Sequence, residues 1–226
     1  MRWRGISTES TPESYLPLAV QLQRIRENTE RYVQADKLAI HERAVARLKE
    51  QGTVARALKT GDRAPEFALL DQNSREVRSC DLLANGRLIV VFFRGRWCPY
   101  CVTQLESLQF LAPDLAEKDA SLVAISPQKV HHNFLTADQH KLRFPLLSDR
   151  ANVVTQQFGI AYKVPQEQAD LYRTVFINLA ALNDDAPDSL PLPATFVISQ
   201  QGVIEQAFAE EDFRLRPEPA DLLSLL

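Results

Sequence analysis

Two of the three cysteines in the chain, Cys98 and Cys101, stand two residues apart as Cys98-Pro99-Tyr100-Cys101. Thiols at that spacing either cycle between dithiol and disulfide or hold a metal ion. The run in front of them, Leu88-Ile89-Val90-Val91-Phe92-Phe93, is continuously apolar, as a strand buried on both faces must be. A helical stretch follows from about Pro99. The pair therefore falls where a buried strand turns into a helix. The first helical turn carries unpaired N–H groups and a partial positive charge, which favour a thiolate, so Cys98 is expected to be the more acidic sulfur. Pro99 occupies a first-turn position, where its missing N–H costs little. Two intervening residues put Cys101 about one helical turn away, close enough to close a disulfide.

A zinc site would need two further ligands. The candidates are thin: Cys80 lies near the start of the core domain, and His131 and His132 are adjacent, so their side chains diverge. No metal and no other cofactor is expected. Cysteines that act only as small buried hydrophobes are common, but that reading accounts for neither the strand-to-helix setting nor Trp97 and Pro99. Arg94 and Arg96 in the intervening loop add positive potential if they face the sulfurs; pointing into water is the commoner fate of a loop arginine. Trp97 is read as shielding and packing. Pro193 precedes the apolar run Ala194-Thr195-Phe196-Val197-Ile198, a position where proline is tolerated and where a cis bond makes a tight turn. Thr195 either hydrogen-bonds near the site or is simply a β-branched strand residue. Cys80 is read as structural, and His41, His131, His132 and His140 as surface residues on helices, so no triad is implied.

The elements that must position this pair follow from pattern. With 226 residues, 45% hydrophobic and 24% charged, the chain is long enough to bury a full core. A net charge of -3 offers no basic field for nucleic acid or an anionic membrane surface. Met1 to Glu9 lacks the apolar stretch of a secretory signal, no run is long enough to span a bilayer, and three cysteines make no disulfide framework, so a reducing, cytoplasmic setting is expected. Leu18, Leu22, Ile25, Tyr32 and Val33 fall near a helical period, then Leu38, Val45 and Leu48, with Gly52 as a stop. The charged face of these helices reads as solvated surface. Short β-type runs begin at Phe67, so the boundary between a helical extension (1–60) and a core domain (61–226) lies near Thr60. Beyond the strand at 88–93, the pattern predicts a strand over 121–126 and helices over 130–142, 151–158 and about 167–182. A hairpin over 194–208, turning at Gln200-Gln201-Gly202, and a last helix near 219–226 follow. The fold class is α/β: a mixed sheet flanked by helices, with an N-terminal helical extension.

Trp97-Cys98-Pro99-Tyr100-Cys101 after a buried strand, with Pro193-Ala194-Thr195-Phe196 before a late one, resembles the thioredoxin fold, in which such a helix start faces a cis-proline. A wider set resembles the peroxiredoxin-like branch of the alkyl hydroperoxide reductase and thiol-specific antioxidant family. It comprises Gly61-Asp62-Arg63-Ala64-Pro65-Glu66-Phe67, Phe93 to Cys101, Ala124-Ile125-Ser126-Pro127 and Phe144-Pro145-Leu146-Leu147-Ser148-Asp149. The resemblance implies a thioredoxin-like sheet and an antioxidant, thiol-exchanging enzyme with a redox-active disulfide. It has departures. In the family's Pro-x-x-x-Thr-x-x-Cys pattern, Cys101 takes the peroxide-attacking cysteine, Cys98 the threonine and Arg94 the proline. Pro193 stands where the family carries an arginine that polarises the peroxide.

The catalytic pair is thus Cys98 and Cys101, supported by Trp97, Pro99, Arg94, Arg96, Pro193 and Thr195. Either Cys98 attacks an oxidised substrate and Cys101 resolves the product, or, for a peroxide, the roles reverse. A thioredoxin- or glutathione-type donor would reset the pair, since Cys-Pro-Tyr-Cys is also the glutaredoxin motif. Two alternatives stay open: a thioredoxin-like disulfide oxidoreductase with little peroxidase activity, and a binding module that has kept the fold without turnover. The N-terminal helices either pair two copies into a homodimer or cap the sheet.

Overall fold

In the computed structural model, which describes residues 16–224, the apolar run ahead of the cysteines forms an inner strand of a seven-stranded sheet. The strands are β1 (Ala68–Leu70), β2 (Glu76–Arg78), β3 (Arg87–Phe92), β4 (Ala120–Ser126), β5 (Leu146–Ser148), β6 (Ala161–Lys163), β7 (Ser189–Pro191), β8 (Ala194–Ile198) and β9 (Ile204–Ala209). The sheet runs β2-β1-β5-β4-β3-β8-β9, and β6 pairs with β7 apart from it. β3 lies parallel to β4 and antiparallel to β8, with Phe92 opposite both Ile125 and Ala194. The sheet is therefore mixed, as expected.

Helices cover both faces: α1 (Leu18–Tyr32), α2 (Ala35–Glu50), α3 (Ser79–Leu83), α4 (Pro99–Gln109), α5 (Ala112–Glu117), α6 (Val130–His140), α7 (Val153–Gln157), α8 (Gln166–Thr174), α9 (Leu179–Leu182) and α10 (Pro219–Ser224). Side chains of a strand alternate between faces, and β3 divides accordingly. Leu88, Val90 and Phe92 enter one core, while Ile89 and Val91, followed by Phe93, enter the other, which also holds both cysteines of the pair.

The long helix expected over 167–182 is two helices. α8 stops at Thr174, Phe176 turns back with φ 63°, and Asn178 starts α9 by accepting the Ala181 N–H at 3.3 Å. The run Thr174-Val175-Phe176-Ile177 is β-branched and aromatic, the poorer helix formers, and an asparagine cap competes with continuation. The terminal hairpin is present as β8 and β9, with the Gly202 N–H donating to the Ser199 carbonyl at 2.8 Å. Gly52, at φ 58°, follows α2 in a left-handed conformation that glycine adopts freely. The expectations for Met1–Glu9 and for the last two residues of the terminal helix fall outside the described residues. Among the described residues no helix is long and apolar enough to cross a membrane.

The segment before residue 60 packs on the domain that follows it. α1 lies along α4, burying Leu18 and Leu22 in the same core as Cys98 and Cys101, and α2 lies along α8. Its charged face is not purely solvated: Glu42 pairs with Arg214 and Arg43 with Glu167.

Candidate active site

Cys98 is the residue before α4, and Pro99 is its first helical residue. The Cys98 N–H donates to the Gly95 carbonyl at 3.1 Å, and its own carbonyl accepts from Cys101 and Val102, each at 3.1 Å. The chain thus turns sharply out of β3 into the helix. Gly95 permits the turn: at φ 149° a Cβ there would lie 2.5 Å from Trp97 Nε1. Both thiols are free, with Sγ atoms 2.8 Å apart, and they are 1% (Cys98) and 0% (Cys101) exposed.

The two sulfurs differ in their neighbours. Arg216 directs Nη2 to Cys101 Sγ at 3.3 Å. Its remaining nitrogens are tied down: Nε donates to Gln104 Oε1 at 2.6 Å, and Nη1 to the carbonyls of Phe213 at 2.7 Å and Leu215 at 2.6 Å. Burial by itself pushes the Cys101 thiol up, but the hydrogen bond from Cys98, the Arg216 and Arg94 guanidinium groups and the Arg94 backbone N–H more than reverse it, bringing Cys101 down to about 5. Cys98 goes the other way, raised well above the ordinary thiol range by burial and by its bond to Cys101. The expectation that Cys98 is the more acidic sulfur is thereby reversed. A helix start favours anions generally, yet the Cys98 side chain accepts no capping hydrogen bond, whereas Cys101, one turn in, accepts the hydrogen bond from Arg216.

Arg94 does not point into water. It is 1% exposed, and its guanidinium carbon sits 4.8 Å from the Trp97 ring centroid and 4.4 Å from that of Phe213, with a hydrogen bond to the Tyr172 hydroxyl. Burial works against its charge, while Tyr172, Tyr162 and both thiols favour it, and the net direction is upward. Burial also raises Tyr172 and Tyr162, so their hydroxyls stay protonated. A thiolate is then the anion that answers the buried cation.

The other predicted residues divide. Trp97 packs against Tyr172, ring centroids 5.0 Å apart, as a shield over this corner. Pro99 is exposed at the helix start. Arg96 is half-buried and binds Gln139 Oε1 at 3.2 Å, while its N–H donates to Gln128 Oε1 at 2.8 Å. Pro193 is buried one residue beyond the Phe92–Ala194 pair. No peptide bond among the described residues is cis, so the cis-proline of the thioredoxin resemblance is absent here. Thr195 is buried opposite Val91, and its hydroxyl has no hydrogen-bond partner among the described residues. Cys80 is exposed beside Asp81. His131, His132 and His140 lie on α6, with His140 Nδ1 2.8 Å from Glu106, and no group of three or more His, Cys, Asp or Glu side chains among the described residues is placed to hold a metal.

His41 corrects its surface reading. It lies under the roof of the site, 5.5 Å from the Phe213 ring and 6.1 Å from Tyr172, with Nδ1 3.2 Å from Gln168 Nε2. Burial, then Arg94 and Arg214, lower it to about 4, so it is neutral. Sequence reasoning also missed Arg216, Gln104, Tyr172, Tyr162 and Phe213. Arg216 lies 115 positions beyond Cys101 and belongs to no motif with it.

The chain matches the AhpC/TSA family over residues 60–207. A Mycobacterium tuberculosis H37Rv protein named as a peroxiredoxin is 32% identical over 120 residues, 53% of this chain and 78% of its own length. Peroxiredoxin Bcp of Escherichia coli K12 is 33% identical over 103 residues, 46% of this chain and 65% of that protein. The crystal structure of peroxidoxin BcpB from M. tuberculosis has the same fold, with a TM-score of 0.58 at 24% identity, covering 74% of this chain and 96% of that one. With a match that spans well over half of the chain and takes in the sulfur pair and the sheet behind it, this protein belongs to the AhpC/TSA family, as a peroxiredoxin-like member.

Proposed function

We propose that this protein is a thiol-dependent peroxidase in which Cys101 attacks the peroxide and Cys98 resolves the product. The observation that carries the reading is the asymmetry of the pair: the sulfur that accepts the Arg216 hydrogen bond is the one that takes the family's peroxide-attacking position. The Cys101 thiolate forms a bond to the terminal oxygen of ROOH. The O–O bond breaks, its electron pair leaves with RO⁻, and RO⁻ takes up a proton to give ROH, leaving Cys101 as a sulfenic acid. The Cys98 sulfur then attacks Cys101 Sγ from 2.8 Å away; the S–S bond forms, and the Cys98 proton leaves with the hydroxyl as water. The high proton affinity of Cys98 suits it to hold that proton until this step. Two equivalents of a thiol donor, of thioredoxin or glutathione type, return the disulfide to the dithiol in a reducing cytoplasm. Trp97, Pro99, Arg94, Arg96, Pro193 and Thr195 support the pair, and residues 61–226 carry it, with 1–60 as an extension.

Stopped-flow Trp fluorescence of the reduced protein against hydrogen peroxide, an organic hydroperoxide and oxidised glutathione tests the reading. Cys101→Ser is expected to abolish oxidation by either peroxide. Cys98→Ser keeps the first step and accumulates a sulfenic acid on Cys101, trapped by dimedone and located by mass spectrometry. If Cys98→Ser is inert and Cys101→Ser reacts, the order of attack is the reverse. Slow peroxide reaction with rapid exchange against oxidised glutathione makes the protein a disulfide oxidoreductase instead. Turnover that survives both substitutions removes the pair from the chemistry altogether.

A further inference from the structure

The family match ends at residue 207. The second guanidinium at the sulfurs comes from beyond that limit. Arg216 is carried by the segment that follows β9, and every part of this segment that bears on the site is tied to the N-terminal extension or to α4. The Val54 N–H donates to Glu211 Oε1 at 3.0 Å. Arg214 binds Asp212 at 2.8 Å and pairs with Glu42 on α2. Glu218 accepts from the N–H groups of Leu18 at 3.0 Å and Ala19 at 2.6 Å, the first two residues of α1. Gln104 of α4 holds Arg216 Nε.

We propose that Arg216 is a catalytic residue, and that the helical extension serves to hold the segment 211–218 so that Arg216 meets Cys101. This deepens the peroxidase reading and rests on it for the substrate, though not for the sulfur. Three of the Arg216 contacts end on fixed acceptors, so Nη2 is aimed at Sγ before any substrate arrives. A donor already oriented toward the atoms where charge resides, in a water-poor site, costs no reorganisation during the reaction. Arg216 stabilises the thiolate in the ground state, and as the S–O bond forms and the O–O bond breaks, the same cation faces the negative charge that passes to the departing RO⁻. Nothing is transferred from the guanidinium, which stays protonated throughout. Glu42 and Glu218 touch neither sulfur; they are positioning residues.

The test is the pH dependence of Cys101 alkylation by iodoacetamide in the full chain, read as its midpoint, beside the second-order rate with hydrogen peroxide. Arg216→Met is expected to raise the midpoint by about one unit or more and to slow peroxide oxidation about a hundredfold. Arg216→Lys restores part of both, and Glu42→Gln moves both in the direction of Arg216→Met by less. Should Arg216→Met not fold, as judged by circular dichroism, Arg216→Gln replaces it, keeping donors while dropping the charge. A midpoint and a peroxide rate equal to wild type in the uncharged variant overturn the proposal. Movement with Arg216→Met but none with Glu42→Gln overturns the role given to the extension. If the wild-type protein ignores peroxide, the peroxidase reading falls, while the alkylation midpoint still decides whether Arg216 governs Cys101.

Discussion

The two faces of β3 are closed in different ways. On the face of Leu88, Val90 and Phe92, the core is locked by an aromatic cluster from within the family domain: Phe92 lies 5.0 Å from Phe158 and 6.0 Å from Phe196, and those two lie 4.9 Å apart. On the face of Ile89, Val91 and Phe93, the core holds the sulfurs and is closed by Leu105 and Leu108 of α4, Leu115 of α5 and Ala137 of α6, together with Leu18 and Leu22 from α1 and Leu222 from α10. Beyond the strands, the first core takes Leu48 of α2, Phe158 after α7 and Tyr172 of α8, while the second takes α1, which the Glu218 side chain ties to the segment before α10. Segments held by fewer backbone ties open locally, below the cost of global unfolding. The two faces therefore differ in what they enclose: an aromatic cluster on one, the buried sulfur pair on the other.

Substitutions on each face separate the two. The largest effect is expected from Phe196→Ala, which empties the aromatic cluster and should cost about 3–5 kcal/mol of global stability in urea unfolding. The alkylation midpoint of Cys101 should stay unchanged. Leu22→Ala, a buried change on the other face, should cost less in global unfolding, about 2 kcal/mol, while raising the iodoacetamide rate of Cys101 at fixed pH. Equal global costs and no gain in labelling would mean that both faces open only together. Smaller again is Glu218→Gln, which weakens the cap on α1 by about 1 kcal/mol and, by loosening the segment that carries Arg216, should raise the alkylation midpoint of Cys101 by less than Arg216→Met does. Last comes pH. Cys101 is depressed to about 5, so the folded state binds fewer protons than the unfolded one between that value and the ordinary thiol range. Its stabilising contribution is present above the unfolded thiol value and is lost as pH falls through about 5. Labelling of Cys101 should follow the same midpoint, and the melting of Phe196→Ala should retain it.

Much of the scaffold is legible because local pattern and tertiary role agree. Leu88 to Phe93 is apolar at every position because both faces of β3 are buried, and the turn at Gly202 joins two alternating runs. The segment 167–182 misleads because its apolar residues keep a helical period across Phe176, where the backbone is left-handed. The short strands β2, β5, β6 and β7 carry only three residues each, too few for alternation to register. In the site, the sulfurs and Arg94 are readable because they sit within eight residues of one another. Whether Arg94 faces water or the interior is decided by Trp97, Tyr172 and Phe213, of which two lie far away in sequence. Arg216 and His41 reach the site from outside the motif-bearing region, so no local spacing marks them.

Both sulfurs are buried, so the cover over them, made by Trp97, Phe213 and α1, is the roof that every oxidant must pass. The observed rate is the intrinsic rate of the uncovered pair multiplied by the fraction of molecules in which it is uncovered. A change in the roof that leaves Arg216 in place, with an opening wide enough for either oxidant, multiplies the rates for small and bulky hydroperoxides by one shared factor. A change at the sulfurs alters each by its own. The ratio of rates for two peroxides is therefore a reading of the chemistry with the gate divided out.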